Sequence, residues 1–216
     1  MYLPPHFKEE NPARLHDLMV AHPLAALVTL GPEGLIANHL PLLHEDGTLQ
    51  GHLARANPQW QALQTDTEAL AIFQGPQAYI SPNWYPTKQE TGRAVPTWNY
   101  AVVHVWGKLT VYSEPAKLRA FLDRLTATHE AGQLKPRLKP RLKPRLKPWM
   151  PSDAPAGYID GLMNAIVGVE LIITRMEGKW KVSQNQPEVN RNGAADGLSA
   201  LGDDAGEQMA RLIRSS

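Results

Sequence analysis

The sequence predicts a mainly β protein, an antiparallel barrel or sandwich with peripheral helices. Three observations predict this fold: about seven apolar runs have the length of strands, most are joined by short turns, and few helical patterns interrupt them. A doubly wound α/β sheet is disfavoured because strands and helices do not alternate along the chain. With 43% apolar residues, the 216-residue chain is long enough to form a sizeable core.

Helices are predicted where a capping residue precedes a proline and an apolar stripe follows at helical spacing. Asn11 with Pro12, and Asn57 with Pro58, both have this pattern. The clearest apolar stripe follows Ser113, so the helix that begins there is the most strongly predicted. The predicted helices are residues 12–21, a short one from Pro58, one from Pro115, a weaker one at 155–164, and C-terminal helices with a break at 202–204.

Strands are predicted from short apolar runs bounded by turn residues. The segment Glu45-Asp46-Gly47 is a hairpin signal. The Gly-Pro pair at 75–76 is expected to divide one run into two strands, and the Glu-Gly pair at 177–178 is expected to turn the last run back as a hairpin. The predicted strands are residues 24–30, 35–43, 48–54, 68–74, 77–82 and 100–112, followed by the hairpin at 167–185.

Composition excludes several classes of protein and site. The chain has no cysteine, which excludes disulfides, thiolate nucleophiles and cysteine metal sites. It has no run of 18 apolar residues, so neither a membrane span nor a membrane partner is expected. The N-terminal MYLPPHFKEE lacks the apolar core of a signal peptide, and we therefore expect a cytoplasmic protein.

Positive charge is concentrated in LKPRLKPRLKPRLKP, residues 134–148. This segment has seven of the 22 basic residues and no acidic one, which leaves 15 basic against 21 acidic side chains elsewhere. Proline at every fourth position is incompatible with a helix or a central strand, so an extended or disordered loop is expected. Two interpretations stay open: a solvated linker expanded by duplication, which we favour, or an arm that contacts DNA phosphates with little sequence specificity.

Polar and aromatic side chains occupy unusual places in four stretches of the chain. Arg55 follows a strand and precedes a predicted helix, an arrangement that suits a phosphate. Tyrosine and tryptophan side chains can form the walls around a planar heterocycle. Together these residue types indicate a phosphorylated, planar, aromatic cofactor. The stretches contain Asn38 and His39; His52, Arg55 and Asn57; Tyr79 and Ser81; and Trp98, Asn99, Tyr100 and His104.

Each of these residues also has a structural interpretation. A single arginine is more often a surface or salt-bridge residue, and a single histidine is more often structural than a ligand. GxSxG, P-loop and GxGxxG motifs do not occur, so the corresponding enzyme classes have no support. No helical pair of histidines has metal-ligand spacing, and no metal site is predicted.

Seven segments, in order along the chain, resemble the PaiB family of FMN-binding negative transcriptional regulators. They are MYLPPHF, ANHLPLL, GHLARANPQW, IFQGPQAYISPNWYP, VPTWNYAVVHVWG, PAGYIDGLMNAIVGVEL and GKWKVSQNQPEVNRNG. The resemblance implies a split β-barrel related to pyridoxamine-phosphate oxidases, with FMN bound at the interface of a homodimer. It also implies an FMN-binding domain over residues 1–198, interrupted by the insertion at 134–148, and a helical tail at 199–216.

The resemblance implies a role toward FMN for each polar stretch. Arg55, with His52 and Asn57, is expected at the phosphate and ribityl end of the cofactor. Asn38, His39 and Leu40 are expected beside the ring. Tyr79 and Ser81 are further expected contacts. Five more contacts are expected to come from the other subunit: Trp98, Asn99, Tyr100, Lys181 and Gln184.

Three functions stay open at this point. An FMN-binding regulator of the PaiB type is favoured by the resemblance. A flavin-dependent oxidoreductase or flavin reductase is the alternative, because relatives of the implied fold include oxidases. A haem-binding split barrel is the third, with His39, His52 or His104 as the candidate ligand.

Overall fold

The computed structural model describes residues 1–63, 67–133 and 147–216. All of the basic repeat except its last two residues therefore lies outside the described residues. The strands are β1 (Lys8–Glu9), β2 (Leu24–Gly31), β3 (Gly34–Pro41), β4 (Leu43–Glu45), β5 (Thr48–Ala54), β6 (Thr67–Ile80), β7 (Thr97–Tyr112) and β8 (Ile166–Lys181). The α-helices are α1 (Pro12–Ala21), α2 (Pro58–Gln61), α3 (Thr87–Thr91), α4 (Pro115–Gln133), α5 (Tyr158–Met163), α6 (Glu188–Ala200) and α7 (Asp204–Arg214).

The strands form one sheet with the hydrogen-bonded order β3-β2-β6-β7-β8-β5-β4, and β1 pairs with β8. β5 is antiparallel to β8, with His52 opposite Gly168. β4 and β5 form the predicted hairpin, in which Asp46 and Gly47 have φ values of 46° and 75°. Positive φ at both positions is what a tight turn between twisted strands requires. The mainly β prediction and the turn at 45–47 are confirmed.

Two predicted strand breaks are wrong, because the glycines there allow close packing instead of forming turns. β6 runs unbroken past Gly75, and β8 runs unbroken past Gly178. A Cβ atom on Gly75 would lie 2.7 Å from Leu18 Cδ1, and one on Gly178 would lie 2.3 Å from Leu15 Cδ2. Both leucines belong to α1, so the missing side chains let this helix pack directly against the two strands.

One predicted strand is divided, and the helices predicted to begin at Pro12, Pro58 and Pro115 begin there. The run 35–43 separates into β3 and β4 at Leu42, directly after Pro41, which has no N–H group to continue the ladder. Asn11 caps α1 by accepting from the N–H group of Ala13 at 3.0 Å. The predicted helix at 12–21 is therefore confirmed. Within the described residues, no helix is long and apolar enough to cross a membrane.

The chain divides into two compact units, each made of segments that are distant in sequence. Unit 1 comprises Met1–Leu27, Leu70–Trp106 and Thr174–Ser216, and unit 2 comprises Val28–Ala69 and Gly107–Ile173.

Each unit has helices with buried apolar residues. In unit 1, α6 and α7 contact each other, and Leu198, Met209 and Ile213 are almost completely buried. In unit 2, Phe121 of α4 and Met163 of α5 belong to one apolar cluster. The predicted helix break at 202–204 is confirmed, whereas the domain boundary predicted at residue 198 stays a prediction.

Candidate functional site

The predicted site residues fall into two groups, one in each unit. Unit 2 has Asn38, His39, Leu40, His52, Arg55 and Asn57, and unit 1 has Tyr79, Ser81, Trp98, Asn99, Tyr100, Lys181 and Gln184.

Arg55 is an exposed residue whose guanidinium group holds the connection between α5 and β8. Its Nε atom donates to the carbonyl oxygen of Asn164 at 2.7 Å, and Nη2 donates to that of Ile166 at 2.9 Å. The backbone N–H group of Arg55 donates to the carbonyl oxygen of Ala165 at 2.8 Å. A guanidinium group has five N–H donors, so these two side-chain bonds leave three for a ligand such as a phosphate.

Asn38 and Asn57 belong to an amide network around Gln59, which is completely buried. The Asn57 side chain caps α2 by accepting from the N–H group of Gln59 at 2.9 Å. The Gln59 side chain accepts from Asn38 Nδ2 at 2.9 Å and donates to Thr29 Oγ1 at 3.1 Å. Because α2 has only one turn, its dipole is too short to bind an anion strongly, and Arg55 is the principal cation of this group.

His52 faces the interior of unit 2. Its ring meets Phe121 edge to face, with the two ring centroids 6.1 Å apart, and its Nδ1 atom is buried with no hydrogen-bond partner among the described residues. Burial lowers the pKa of His52, so the imidazole is neutral at neutral pH. Leu40 is also buried, with 3% exposure, whereas His39 is exposed. Arg55 and His39 are thus the exposed members of this group.

The larger cavity in unit 1, which we call the aromatic cavity, has a volume of about 480 Å³. Trp98 and Tyr100 of β7 line it, together with residues of the N-terminus, β6 and β8. Trp98 Nε1 donates to Gln77 Oε1 at 3.1 Å, and Tyr79 packs edge to face on Trp98 with a centroid distance of 6.1 Å. The structure therefore brings these three predicted aromatic residues together.

Lys179 also lines the aromatic cavity, and the sequence prediction missed it. Only 8% of this residue is exposed. Its Nζ atom donates to the carbonyl oxygen of Tyr2 at 3.0 Å and lies 5.4 Å from the centroid of the Tyr100 ring. The signal that would have found it is the GKWK segment, because lysines two residues apart in a strand lie on one face.

His104, which belongs to the fourth polar stretch and is also a candidate haem ligand, lines the same cavity. Burial lowers its pKa, and the Met1 ammonium group lowers it further, while Glu177 acts in the opposite direction. His104 is therefore a neutral imidazole at neutral pH. The aromatic cavity thus combines π surfaces, a buried ammonium group and a neutral proton acceptor.

A smaller cavity of about 170 Å³ in unit 1, which we call the polar cavity, has hydroxyl and amide groups in its wall. Asn99 has 1% exposure, Ser183 has 3% and Tyr85 has 5%. Asn99 Nδ2 donates to Ser183 Oγ at 2.9 Å. Asn99 was a predicted site residue, whereas Ser183 and Tyr85 were not.

Lys181 also lines the polar cavity. Its Nζ atom donates to Thr97 Oγ1 and, at 2.6 Å, to the carbonyl oxygen of Trp98. Burial lowers the pKa of Lys181, and the nearby positive charge of Lys179 lowers it further. The structure therefore places Asn99 and Lys181 together at this second cavity.

Ser81 and Gln184 use their side chains in local turns. Ser81 Oγ accepts from the N–H group of Asn83 at 3.2 Å. Gln184 Oε1 accepts from the N–H group of Val182 at 2.8 Å, and Gln184 Nε2 donates to the carbonyl oxygen of Trp180 at 2.6 Å. The flavin contacts predicted for these two residues stay predictions.

Comparison with known proteins identifies relatives of the chain. A family model described as "Putative FMN-binding domain" matches residues 1–175. The "Protease synthase and sporulation protein PAI 2" of Bacillus subtilis is 30% identical over 217 residues, which are 99% of this chain and 96% of that protein. The resemblance to the PaiB family predicted from the motifs is confirmed.

Solved structures of low sequence identity have the same fold. The conserved hypothetical protein Rv2991 from Mycobacterium tuberculosis is 14% identical with a TM-score of 0.60, over 87% of this chain and 95% of that chain. The FAD and heme binding protein from Mycobacterium smegmatis is 17% identical with a TM-score of 0.55, over 81% of this chain and 73% of that chain. The predicted split-barrel fold class, mainly β with flanking helices, is confirmed.

Proposed function

Because this chain belongs to the FMN-binding domain family, whose model matches residues 1–175, we propose that it is a PaiB-type flavoprotein. In this proposal it is a cytoplasmic homodimer that binds FMN and acts as a negative regulator of transcription. Family membership confirms FMN as the predicted cofactor. Three parts are proposed: the identity of the residues that hold the cofactor, the homodimeric assembly, and the regulatory role.

The observation that carries the proposal is the aromatic cavity. Its volume of about 480 Å³ lies within the range of small-molecule sites, roughly 300–1,000 Å³. Trp98 and Tyr100 supply the flat apolar walls that an isoalloxazine ring needs, and Lys179 supplies a buried positive charge. FMN contributes electron transfer when bound, and a cation beside the ring would stabilise the negative charge of the reduced form.

Arg55 is the proposed ligand of the FMN phosphate. Its exposed guanidinium group is oriented by two backbone carbonyl groups and has donors left for the phosphate oxygens. Orientation by the protein is an advantage, because less conformational entropy is lost when the ligand binds. In this proposal Asn38, Leu40, His52 and Asn57 shape the strand ends around Arg55 and His39.

A homodimer is proposed because the two groups of site residues supply complementary chemistry. The unit 1 group supplies aromatic walls and lysines, and the unit 2 group supplies a guanidinium group. The resemblance implies that Trp98, Asn99, Tyr100, Lys181 and Gln184 face the cofactor of the other copy. Light scattering of the FMN-loaded protein would show a dimer, and a monomer with one tightly bound FMN would overturn this part.

The spectrum of the purified protein tests the cofactor proposal directly. We expect flavin absorption bands that elute with the protein, and quenching of FMN fluorescence when FMN is added to the cofactor-free chain. A colourless protein that leaves FMN fluorescence unchanged would remove the proposal. A Soret band would instead favour the haem-binding alternative.

Retardation of promoter DNA tests the regulatory part. Sequence-dependent binding that survives physiological salt would support a repressor, since non-specific phosphate contacts weaken steeply as salt rises. The matched control is the same protein without residues 134–148, which has lost seven positive charges. The regulatory role would be contradicted if the protein binds all DNA sequences equally and this binding is lost when residues 134–148 are removed.

A flavin-dependent oxidoreductase is the second candidate, and His104 favours it. Its imidazole is neutral because burial lowers the pKa, and it lines the same cavity as Trp98 and Tyr100. A neutral imidazole beside a flavin can accept or return a proton during hydride chemistry. Oxidation of NADH or NADPH by the FMN-loaded protein, reduced in a His104→Gln variant that still binds FMN, would support this candidate over the regulator.

A further inference from the structure

We infer that the polar cavity of unit 1 binds an oxyanion, a phosphate or carboxylate group, through the ammonium group of Lys181. The cavity has a volume of about 170 Å³, below the range of roughly 300–1,000 Å³ that is usual for drug-sized ligands. It therefore suits one anionic group with a small attachment. A tricyclic ring requires the larger aromatic cavity.

The Lys181 ammonium group has only neutral hydrogen-bond partners among the described residues. It donates to the hydroxyl of Thr97 and the carbonyl oxygen of Trp98, both of which are neutral acceptors. An ammonium group has three donors, so one remains. Within the part of the chain that the structure describes, Lys181 forms no ion pair with a carboxylate, and Lys179 is the charge that acts on it. A half-buried cation with only neutral partners is stabilised by an anion.

A second positive charge lies next to Lys181. Lys179 lies two residues earlier in β8 and is almost completely buried. It donates to the carbonyl oxygen of Tyr2, which is also a neutral acceptor. Two ammonium groups close enough to affect each other create a positive potential, and this potential attracts an anion.

The wall of the polar cavity contains buried polar side chains. Asn99, Ser183 and Tyr85 are each at least nine-tenths buried. Asn99 donates to Ser183, and the Tyr85 hydroxyl is hydrogen-bonded to the same serine. Burying hydroxyl and amide groups costs free energy unless they have partners, and such groups are the usual neutral donors to phosphate and carboxylate oxygens.

Ser183, in the wall of the polar cavity, has a strained backbone. Its φ value is 68°, in the left-handed region that residues other than glycine seldom adopt. The Gln184 side chain holds the same turn through Val182 and Trp180. Such strain persists only where the surroundings fix it, and it is concentrated at binding sites. The turn therefore presents Ser183 to the cavity in a fixed position.

The oxyanion has two sources, a separate small anion or the phosphate of FMN itself. We expect the separate anion, because Arg55 is the proposed ligand of the FMN phosphate. With a separate anion the inference is independent of the proposed function. If the oxyanion is the FMN phosphate, the inference rests on the proposed function and makes Lys181 a second ligand of that phosphate, in addition to Arg55.

The test titrates inorganic phosphate, riboflavin and FMN into the full chain and three variants. Lys181→Met removes the charge, Lys181→Arg keeps it, and Lys179→Met is the matched control on the same strand. Phosphate should bind the wild-type chain, measured by calorimetry and by the rise in melting temperature. Lys181→Met should weaken phosphate binding by at least about tenfold, Lys181→Arg should retain it, and Lys179→Met should weaken it less. Melting temperatures without ligand show whether each variant is folded.

The outcomes distinguish a separate anion from the FMN phosphate, and they distinguish failure of the anion site from failure of the proposed FMN-binding function. Loss of phosphate binding in Lys181→Met with unchanged FMN affinity identifies a separate anion. Weaker FMN binding with unchanged riboflavin binding identifies the FMN phosphate. The inference is overturned if a folded Lys181→Met variant binds phosphate and both flavins like the wild type. It is also overturned if the wild-type chain does not bind phosphate and binds FMN no more tightly than riboflavin. If phosphate binding depends on Lys181 but no flavin binds, the proposed function fails and the anion site stands.

Discussion

The two groups of predicted site residues differ in what their side chains contact. In unit 1, Trp98, Tyr100 and Lys181 line cavities. In unit 2, Asn38 bonds to Gln59, and Arg55 bonds to backbone carbonyl groups. Both groups were predicted from the same signal, polar or aromatic residues in or beside strands. The signal therefore predicts where polar groups cluster, whereas their hydrogen-bond partners decide which donors remain for a ligand.

The difference has an energetic reason. In unit 2 the buried Gln59 amide is paired with Asn38 and Thr29, because an unpaired buried polar group would cost about 1–3 kcal/mol, although His52 Nδ1 and the Tyr112 hydroxyl have no partner among the described residues. In the polar cavity of unit 1, Lys181 donates to neutral acceptors alone among the described residues. The expected effects of substitutions follow from this contrast, and the largest is in unit 2.

The largest expected effect is on stability, from Gln59→Ala in unit 2. The substitution leaves Asn38 Nδ2 and Thr29 Oγ1 without their buried partner. We expect the free energy of unfolding to fall by about 2–4 kcal/mol, from unpaired groups at about 1–3 kcal/mol each. Urea unfolding measures it, with exposed Gln61→Ala as the control. Equal effects of the two substitutions would show that the amide network does not hold unit 2 together.

Arg55→Ala tests whether unit 2 also contributes to the ligand. We expect FMN binding to weaken by about 1.5–3 kcal/mol, the range for hydrogen bonds to charged groups. Riboflavin, which has no phosphate, should bind with unchanged affinity. Fluorescence titration measures both, with exposed Arg93→Ala as the control. If stability falls and FMN affinity does not, Arg55 only holds the backbone of residues 164–166. In that case the predicted site residues of unit 2 have structural roles, and those of unit 1 alone contact the ligand.

Trp98→Ala tests the aromatic cavity of unit 1. We expect FMN and riboflavin to lose similar affinity, about 1–2 kcal/mol, because stacking on an aromatic side chain contributes roughly 1–3 kcal/mol. Trp149→Ala is the matched control, since Trp149 is 45% exposed and Trp98 is 49% exposed. Flavin affinity that is the same in both variants would remove Trp98 from the site.

The pH dependence of stability tests the buried state of His52. Burial lowers the pKa of folded His52 below the ordinary value near 6.5. The unfolded chain then binds the proton first as pH falls, so the stabilisation is present above pH 6.5 and is lost below it. We expect a shallower decline between pH 7 and pH 5 for His52→Leu than for the wild type. His22 and His104, whose pKa values burial also lowers, stay in both proteins.

His39→Leu is the control for that comparison. His39 is exposed on β3, so its replacement removes one histidine without changing the buried surroundings of His52. An equal change of slope in the two variants would mean that the burial of His52 does not cause the pH dependence.

The smallest expected effect comes from replacing residues 134–146 with a Gly/Ser segment of equal length. The sequence prediction for this segment, which has proline at every fourth residue, is a solvated linker that contributes little to the core. We therefore expect an unchanged melting temperature and unchanged FMN affinity, while any non-specific retention on DNA weakens. A large fall in melting temperature would contradict the interpretation of the repeat as a solvated linker.

The sequence by itself determined the fold class, the helix starts, the hairpin turn and the family. Asn11 with Pro12 begins α1, and Asp46 with Gly47 turns the chain between β4 and β5. These signals are local, because a cap or a tight turn depends on residues within a few positions. The family was recognisable because its motifs recur in order over most of the chain.

Only the tertiary structure decided which polar groups have partners and which glycines allow close packing. Gln59 meets Thr29, which is 30 residues away, and Asn99 meets Ser183, which is 84 residues away. Gly178 looked like a turn, but it is an extended residue against Leu15 of α1. Contacts between distant parts of the chain leave no local pattern, so Ser183 and the polar cavity became visible only after the strands had been brought together.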